Sequence, residues 1–198
     1  MGTIAPEVRP AVTLKDLCER AKLGDPAKAL LKDEYTFKQF LELLVGKELF
    51  LDATRFLAFA LPKREAVGWG CLCIRHSLGT QDATQISRTQ VAAEKWVANP
   101  DEGNRQSAKA AVPESGPESP SDLLALAAFH SGGSVVAPEV DPVPPPDHVT
   151  PQLVAGAVMI AAVKNQPEKA AERYRVFLQK GTGLMARMKP GPAATSSR

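Results

Sequence analysis

The prolines of this chain constrain its fold most, because six of the 17 stand where a run of helix-forming residues begins. Four of these six follow a residue typical of the N-cap position, namely Asp25, Asn99, Ser119 and Thr150. Proline suits the first helical turn, where its missing N–H has no acceptor and its fixed φ is already helical. The prolines therefore predict helix starts. The six positions are Pro26, Pro62, Pro100, Pro120, Pro151 and Pro167.

Apolar residues spaced three and four apart predict about nine helices, and hence a single compact all-α domain. Thr13 and Thr36 are predicted to begin two of these helices, and Asn99 with Glu102 is predicted to form a capping box for another. A looser extension is expected after Gly181. The predicted divisions are a flexible N-terminus at 1–12, the all-α domain at 13–188 with candidate lobes 13–98 and 99–188, an extended proline-rich segment at 134–149, and a disordered tail at 189–198.

Two stretches are predicted to form the most buried helices and to pack on each other or on a shared neighbour. Residues 66–74, within the predicted helix 62–78, carry no charge, and residues 151–163 form the longest uncharged apolar run. A helix that is apolar all round is surrounded by protein. The second run is too short to cross a membrane, which takes about 17 to 25 residues. We therefore expect core helices and no membrane span.

The charge and cysteine content exclude some classes of protein. The chain has 24 basic and 22 acidic residues, so its overall charge gives no indication of nucleic-acid binding. Cys18, Cys71 and Cys73 are odd in number, and two of them lie in an apolar helical run, which favours reduced thiols and a cytoplasmic location. The first residues show no signal-peptide pattern.

The residues that could carry metal chemistry are better explained by structural roles. Cys71 and Cys73 point in nearly opposite directions on a helix, so with His76 they cannot hold one ion. His130 precedes a glycine pair that ends a helix, and His148 lies in a proline-rich loop. Each fits a helix-end or loop role.

The sequence also lacks the motifs of other kinds of functional site. Trp69 and Trp96 are expected in the core, although either could stack on a ligand. The glycines at 132 and 133 follow a helix and lack the lysine of a phosphate-binding loop. We therefore predict no catalytic, cofactor-binding or metal-binding residue.

Two segments are candidates for binding a partner protein. Arg173, Arg175, Lys180 and Arg187 belong to a C-terminal stretch with no acidic residue after Glu172. They could bind an acidic partner, or they could form an ordinary solvated face. The residues Pro144, Pro145 and Pro146 could form a recognition strip for an aromatic groove, although a surface tether is the preferred interpretation.

Several phrases of the sequence resemble a family of bacterial helical proteins of unknown function, similar in length to this chain. The resemblance spans about residues 13 to 180 and implies an all-helical fold but no catalytic residues. Some members are encoded near type VI secretion clusters, which implies an accessory role there. The hairpin around Trp96 is also faintly similar to helical putative immunity proteins. The phrases are residues 29–32, 54–67, 93–97, 129–134 and 167–174.

Three functions remain open at this point. A non-enzymatic protein-interaction module, such as an adaptor or secretion accessory protein, is favoured because the core is well specified and no reactive residues converge. A cytosolic immunity-type inhibitor would need an exposed charged or aromatic patch matched to a toxin. An enzyme would need a deep polar pocket with perturbed titratable groups.

Overall fold

The computed structural model describes residues 12–79, 86–136 and 140–187, and the described part is helical without strands. The predictions for residues 1–11 and for the tail at 189–198 lie outside it. All-α architecture is confirmed. The helices are α1 (Leu14–Arg20), α2 (Asp25–Lys28), α3 (Phe37–Gly46), α4 (Phe50–Ala60), α5 (Lys63–Leu78), α6 (Arg88–Ala98), α7 (Glu102–Ala111), α8 (Pro120–Phe129), α9 (Val149–Val163) and α10 (Ala170–Arg187), with a 3-10 turn at Pro167–Lys169.

Capping residues begin several helices where the sequence predicts. Thr13 and Thr36 each accept a hydrogen bond from the backbone N–H three residues later, and the side-chain oxygen of that residue accepts the backbone N–H of the cap. Ser119 forms the same box with Asp122, and Pro120 is the first residue of α8. Gly79 ends α5 at a φ of +68°, a conformation that glycine adopts without steric cost. These helix boundaries are set by local chemistry.

The predicted capping box of Asn99 with Glu102 is wrong. Helix α7 begins two residues after Pro100, and its cap is Asp101, whose carboxylate accepts the N–H of Asn104 at 2.7 Å. The Asn99 side chain donates to Asp101 instead. A carboxylate next to a helix N-terminus is a stronger acceptor than an amide oxygen, and this competition moves the helix start.

Three other predicted starts are displaced. Helix α2 begins at Asp25 with Gly24 as its N-cap, so Asp25 does not cap a helix that starts at Pro26. Pro62 is the N-cap of α5 and not its first helical residue. Helix α9 starts at Val149, which places Thr150 inside the helix, where its hydroxyl donates to the carbonyl oxygen of Ala127 at 3.3 Å. The Thr150 side chain is fully buried, and because α9 begins one residue before it, the hydroxyl lies within the first turn and not at the cap position.

The core joins all ten described helices in one cluster. Helices α5 and α9 pack on each other, as predicted, and α8 packs on both. However, α8 is more completely buried than either, since only Leu123 and Leu126 retain partial exposure. The prediction that α5 and α9 are the two most buried helices is therefore wrong. The cluster includes side chains from both 13–98 and 99–188.

Helix α10 continues through Gly181, where the sequence predicts a looser extension. A Cβ at Gly181 would lie 2.4 Å from Cδ2 of Leu57 and 2.8 Å from Nε1 of Trp69. The buried Trp69 also donates its indole N–H to the carbonyl oxygen of Phe177 at 2.8 Å. Glycine is needed here for close approach of α10 to α4 and α5, and the surrounding contacts keep the chain helical.

Arg105 of α7 holds the turn that follows α8. Its guanidinium is almost fully buried and makes two hydrogen bonds with the carboxylate of Glu102. It also donates to the carbonyl oxygens of Phe129 at 2.7 Å and Ser134 at 3.0 Å. Gly133, at a φ of +65°, passes so close that a Cβ would meet the guanidinium at 2.8 Å. The sequence alone does not predict these contacts of Arg105 with the turn after α8.

Candidate interaction groove

The predicted basic residues of α10 do not form one free patch. Arg173 donates to the carbonyl oxygens of Ala162 and Lys164, at 3.2 and 2.6 Å, and so satisfies the end of α9. Arg175 pairs with Glu48 and lies over the ring of Phe50. Both guanidinium groups are thus used within the fold, and their charges are only partly available to a partner.

The other two basic candidates lie further along the same helix. Lys180 is exposed, and Arg187 is the last residue of α10. Positions 173, 180 and 187 recur every seven residues and share one face, whereas position 175 lies about 200° around the helix. Among the basic residues with described side chains, the structure therefore separates Arg175 from Arg173 and Lys180.

The three prolines of the predicted recognition strip are only partly exposed. Pro144 and Pro146 are exposed, but Pro145 between them is buried. The start of the segment is attached to its later part, since the N–H of Val135 donates to the carbonyl oxygen of Val143 at 2.9 Å. An aromatic groove on a partner could contact only two of the three proline rings.

Serine substitutions of these prolines should separate the tether role from the recognition role. Pro145→Ser is expected to destabilise the protein by about 1 to 2 kcal/mol, because a buried ring is lost. Pro144→Ser and Pro146→Ser should each change stability by about 0.5 kcal/mol or less. Each substitution removes one proline and therefore has a similar effect on the unfolded chain. The difference in stability among the three variants then reports how deeply each proline ring is buried. Urea denaturation would measure it, and equal values for all three would contradict the placement of Pro145.

The cysteine, histidine and tryptophan residues are placed in structural surroundings. Cys71 borders α6, and burial raises the pKa of its thiol to about 12, whereas Cys73 is buried on the side facing Lys180 of α10. His76 packs edge-on against Phe177. Within the ranges described, no group of three or more His, Cys, Asp or Glu residues is arranged to hold a metal ion.

The remaining residues singled out from the sequence end helices or fill the core. His130 is the C-cap of α8 and packs against the Phe129 ring, and His148 is the exposed N-cap of α9. Trp69 and Trp96 are both buried. Neither indole is therefore exposed as a stacking surface.

A groove of about 540 Å³ with a mostly apolar lining lies between α5, α6 and the end of α10. Leu72, Val97 and Leu184 supply its apolar surface, and Leu72 keeps 44% of its area exposed. Single exposed apolar side chains are ordinary, but several lining one concave surface are typical of binding sites. The full lining is Arg64, Glu65, Gly68, Cys71, Leu72, Arg75, Glu94, Val97 and Leu184.

The floor of this groove depends on a close approach of α6 to α5. A Cβ at Gly68 would lie 3.3 Å from Cγ1 of Val97, so a larger residue there would require Val97 to shift by a few tenths of an ångström. Arg64 reinforces the approach by donating to the carbonyl oxygens of Val97 at 2.7 Å and Ala98 at 3.2 Å, the last residues of α6. A helix end with satisfied carbonyls is fixed in position.

At the other end of the groove, a polar network connects α5, α6 and α8. Arg75 makes two hydrogen bonds with Glu94, and the side chain of Gln90 donates to Glu94 at 2.7 Å and accepts from Ser121 at 3.2 Å. Burial of Glu94 opposes its charged form, but the hydrogen bonds from Arg75 and Gln90 outweigh this and lower its pKa. Glu94 also raises the pKa of Arg75. The pair is therefore charged and connects α5 to α6.

The amino-acid sequence gives no signal for this groove. In the structure, Leu72 faces outward between the buried Cys71 and Cys73. Because residues 66–74 read as apolar all round, the sequence predicts a fully enclosed helix instead of one with an open side. Only the arrangement of α6 and α10 around α5 shows which residue is left uncovered.

Comparison with known proteins yields one match. A family model described as a family of unknown function, DUF6931, matches residues 40–185. No curated protein and no solved structure matches the chain. Among the described helices, none combines the length and apolar character needed to cross a membrane. The match begins within α3 and ends within α10, so it includes every residue that lines the groove.

Proposed function

We propose that this chain, which belongs to the DUF6931 family of unknown function, is a helical protein-interaction module that binds its partner in the groove between α5, α6 and α10. The observation that carries the proposal is the half-exposed Leu72 in an apolar groove whose flanking arginines already have partners within the fold. A mostly apolar groove favours burial of a partner's side chains.

The setting that we propose is an accessory or adaptor role in bacterial type VI secretion, in the cytoplasm. Support comes from the resemblance of several sequence phrases to a family with members encoded near type VI secretion clusters. Free buried thiols agree with a reducing compartment. The identity of the captured partner distinguishes the alternatives: a secretion component supports the accessory role, whereas a toxin supports the immunity role.

The experiment compares Leu72→Glu with a matched control, Leu51→Glu. Leu51 is also half exposed, at 50%, but it lies on α4 and does not line the groove. Tagged wild-type and variant proteins would be expressed in the native bacterium and their bound proteins quantified by mass spectrometry. We expect one partner to be retained by wild type and Leu51→Glu and lost by Leu72→Glu, with thermal unfolding similar for both variants. Retention by a folded Leu72→Glu would place the binding site elsewhere.

A further inference from the structure

We infer that residues 12–31, the α1–α2 segment, form a detachable cover over a second helix-binding surface of the protein. This surface is formed by α4 and α9, and it shares no lining residue with the groove beside α5. The α1–α2 segment occupies the surface from within the chain. A partner helix with the apolar spacing of α1 takes its place when the segment opens.

Helix α1 contacts the rest of the fold through one face. Leu17, Cys18 and Ala21 are buried, and Leu14 packs against the same core cluster. These four positions follow the spacing i, i+3, i+4 and i+7, by which an amphipathic helix fits an apolar surface. The positions between them, 15, 16, 19 and 20, are charged and exposed. The occupant of this surface is therefore visible in the structure, and its pattern defines the kind of helix that fits.

The helices of the α1–α2 segment are too short to be stable alone. Helix α1 has seven residues and α2 has four, whereas isolated helices of fewer than about 12 residues are marginal in water. Lys22, directly after the C-cap of α1, also has a φ of +51°, which is unfavourable for a residue with a Cβ. The order of the segment therefore comes from the surface that it covers.

The contact between the α1–α2 segment and the rest of the fold is incompletely packed. Among the described helices, α1 packs mainly on α4, and the N–H of Gly24 donates to the carboxylate of Asp52 at 2.9 Å. Three depressions, of about 350, 320 and 180 Å³, border the segment at residues 19–22. The opposite wall of the largest includes Phe59 of α4 and Met159 of α9. Gaps remove van der Waals contacts, and weakly packed segments open locally at low free energy.

The family match separates the segment from the surface beneath it. The match begins at residue 40, after both helices of the segment, and it includes the whole of α4 and α9. The surface therefore lies within the part of the chain that the family model describes, whereas the segment that covers it lies outside that part.

Amide hydrogen exchange of the unmodified full-length chain tests whether the α1–α2 segment opens separately. We expect the amides of α1 to exchange about a hundredfold or more faster than those of α8 and α9, after correction for intrinsic rates. Their exchange should also depend weakly on urea, because local opening exposes little surface. Equal protection of α1 and α9 would show that the segment opens only with the whole domain, and it would overturn the inference.

A synthetic peptide of residues 12–31 tests whether the surface binds a helix from another molecule. The receptor is the full-length Leu17→Asp variant, in which a charge at a buried position of α1 releases the segment. Fluorescence anisotropy should show that the labelled peptide binds this variant about tenfold or more tightly than wild type, in which the chain's own segment competes. Val12→Asp is the matched control, because Val12 lies in the same segment and keeps 43% of its area exposed, and it should behave as wild type.

A peptide that itself carries Leu17→Asp should bind the released surface about tenfold or more weakly, because it lacks the apolar contact of the leucine. Equal affinity of the two peptides, or equal affinity of the unmodified peptide for Leu17→Asp and wild type, would overturn the inference. Loss of helical structure throughout Leu17→Asp, seen by circular dichroism, would also overturn it. Leu72→Glu should leave the exchange of α1 and the binding of the peptide unchanged, so this inference and the proposed groove can fail independently.

Discussion

A lysine in place of Val158 is expected to prevent folding at ordinary temperatures. Val158 is completely buried in α9, the helix that packs on both α5 and α8. Placing an unpaired charge in such a position costs several kcal/mol, a large share of a total stability of about 5 to 15 kcal/mol. Circular dichroism should show loss of the cooperative thermal transition.

The matched control is Ile160→Lys, two residues further along the same helix. Ile160 keeps 44% of its surface exposed, so the ammonium group can remain in water. We expect a change in stability of about 1 kcal/mol or less. Similar unfolding temperatures for the two variants would show that α9 is not the buried centre of the domain.

The substitution Gly181→Ala is expected to destabilise the protein, although alanine is the better helix former. The new methyl group would overlap Leu57 and the indole of Trp69, both of which are completely buried. Leu57 ends in a flexible isobutyl group, but Trp69 is held by its hydrogen bond to Phe177. Overpacking of this kind costs about 1 to 3 kcal/mol.

Gly183→Ala, on the same helix, is expected to change the stability in the opposite direction. No atom lies within 4 Å of the Cβ position at Gly183, so only helix propensity changes. The variant should be more stable by up to about 1 kcal/mol. Urea denaturation of the two variants gives the comparison, and stabilisation by both substitutions would contradict the close approach of α10 to α5.

Helix boundaries were predictable from sequence where a short-range interaction decides them. Thr13 and Thr36 each bind an N–H three residues away, and no distant residue competes for them. Thr150 fails as a predicted cap because α9 begins before it, at Val149, and its buried hydroxyl donates to Ala127 on another helix. Asn99 fails because Asp101 beside it is the stronger acceptor. Local signals hold until a tertiary contact or a better neighbouring acceptor replaces them.

The candidate groove was not predictable from the sequence, because the exposure of a side chain depends on how the helices pack around it. Leu72 and Cys71 are both apolar residues of one helix, yet α6 covers Cys71 and leaves Leu72 open. For the basic residues of α10, the sequence indicates exposure and the structure shows contacts within the fold. Their charge suggested an open surface, but Arg173 and Arg175 are engaged by the end of α9 and by Glu48. Hydrophobic spacing predicts which residues lie on one face, and only packing decides whether that face is covered.

The position of Arg105 has a consequence for how the structure opens. One guanidinium connects α7, the last residue of α8 and the turn before the proline-rich segment. Any fluctuation that frays α7 leaves a buried cation without its acceptors, so the three pieces should separate together as one cooperative unit. Amide hydrogen exchange of α7 should therefore proceed with the same opening free energy as that of the turn after α8, although about 25 residues of chain lie between Arg105 and that turn.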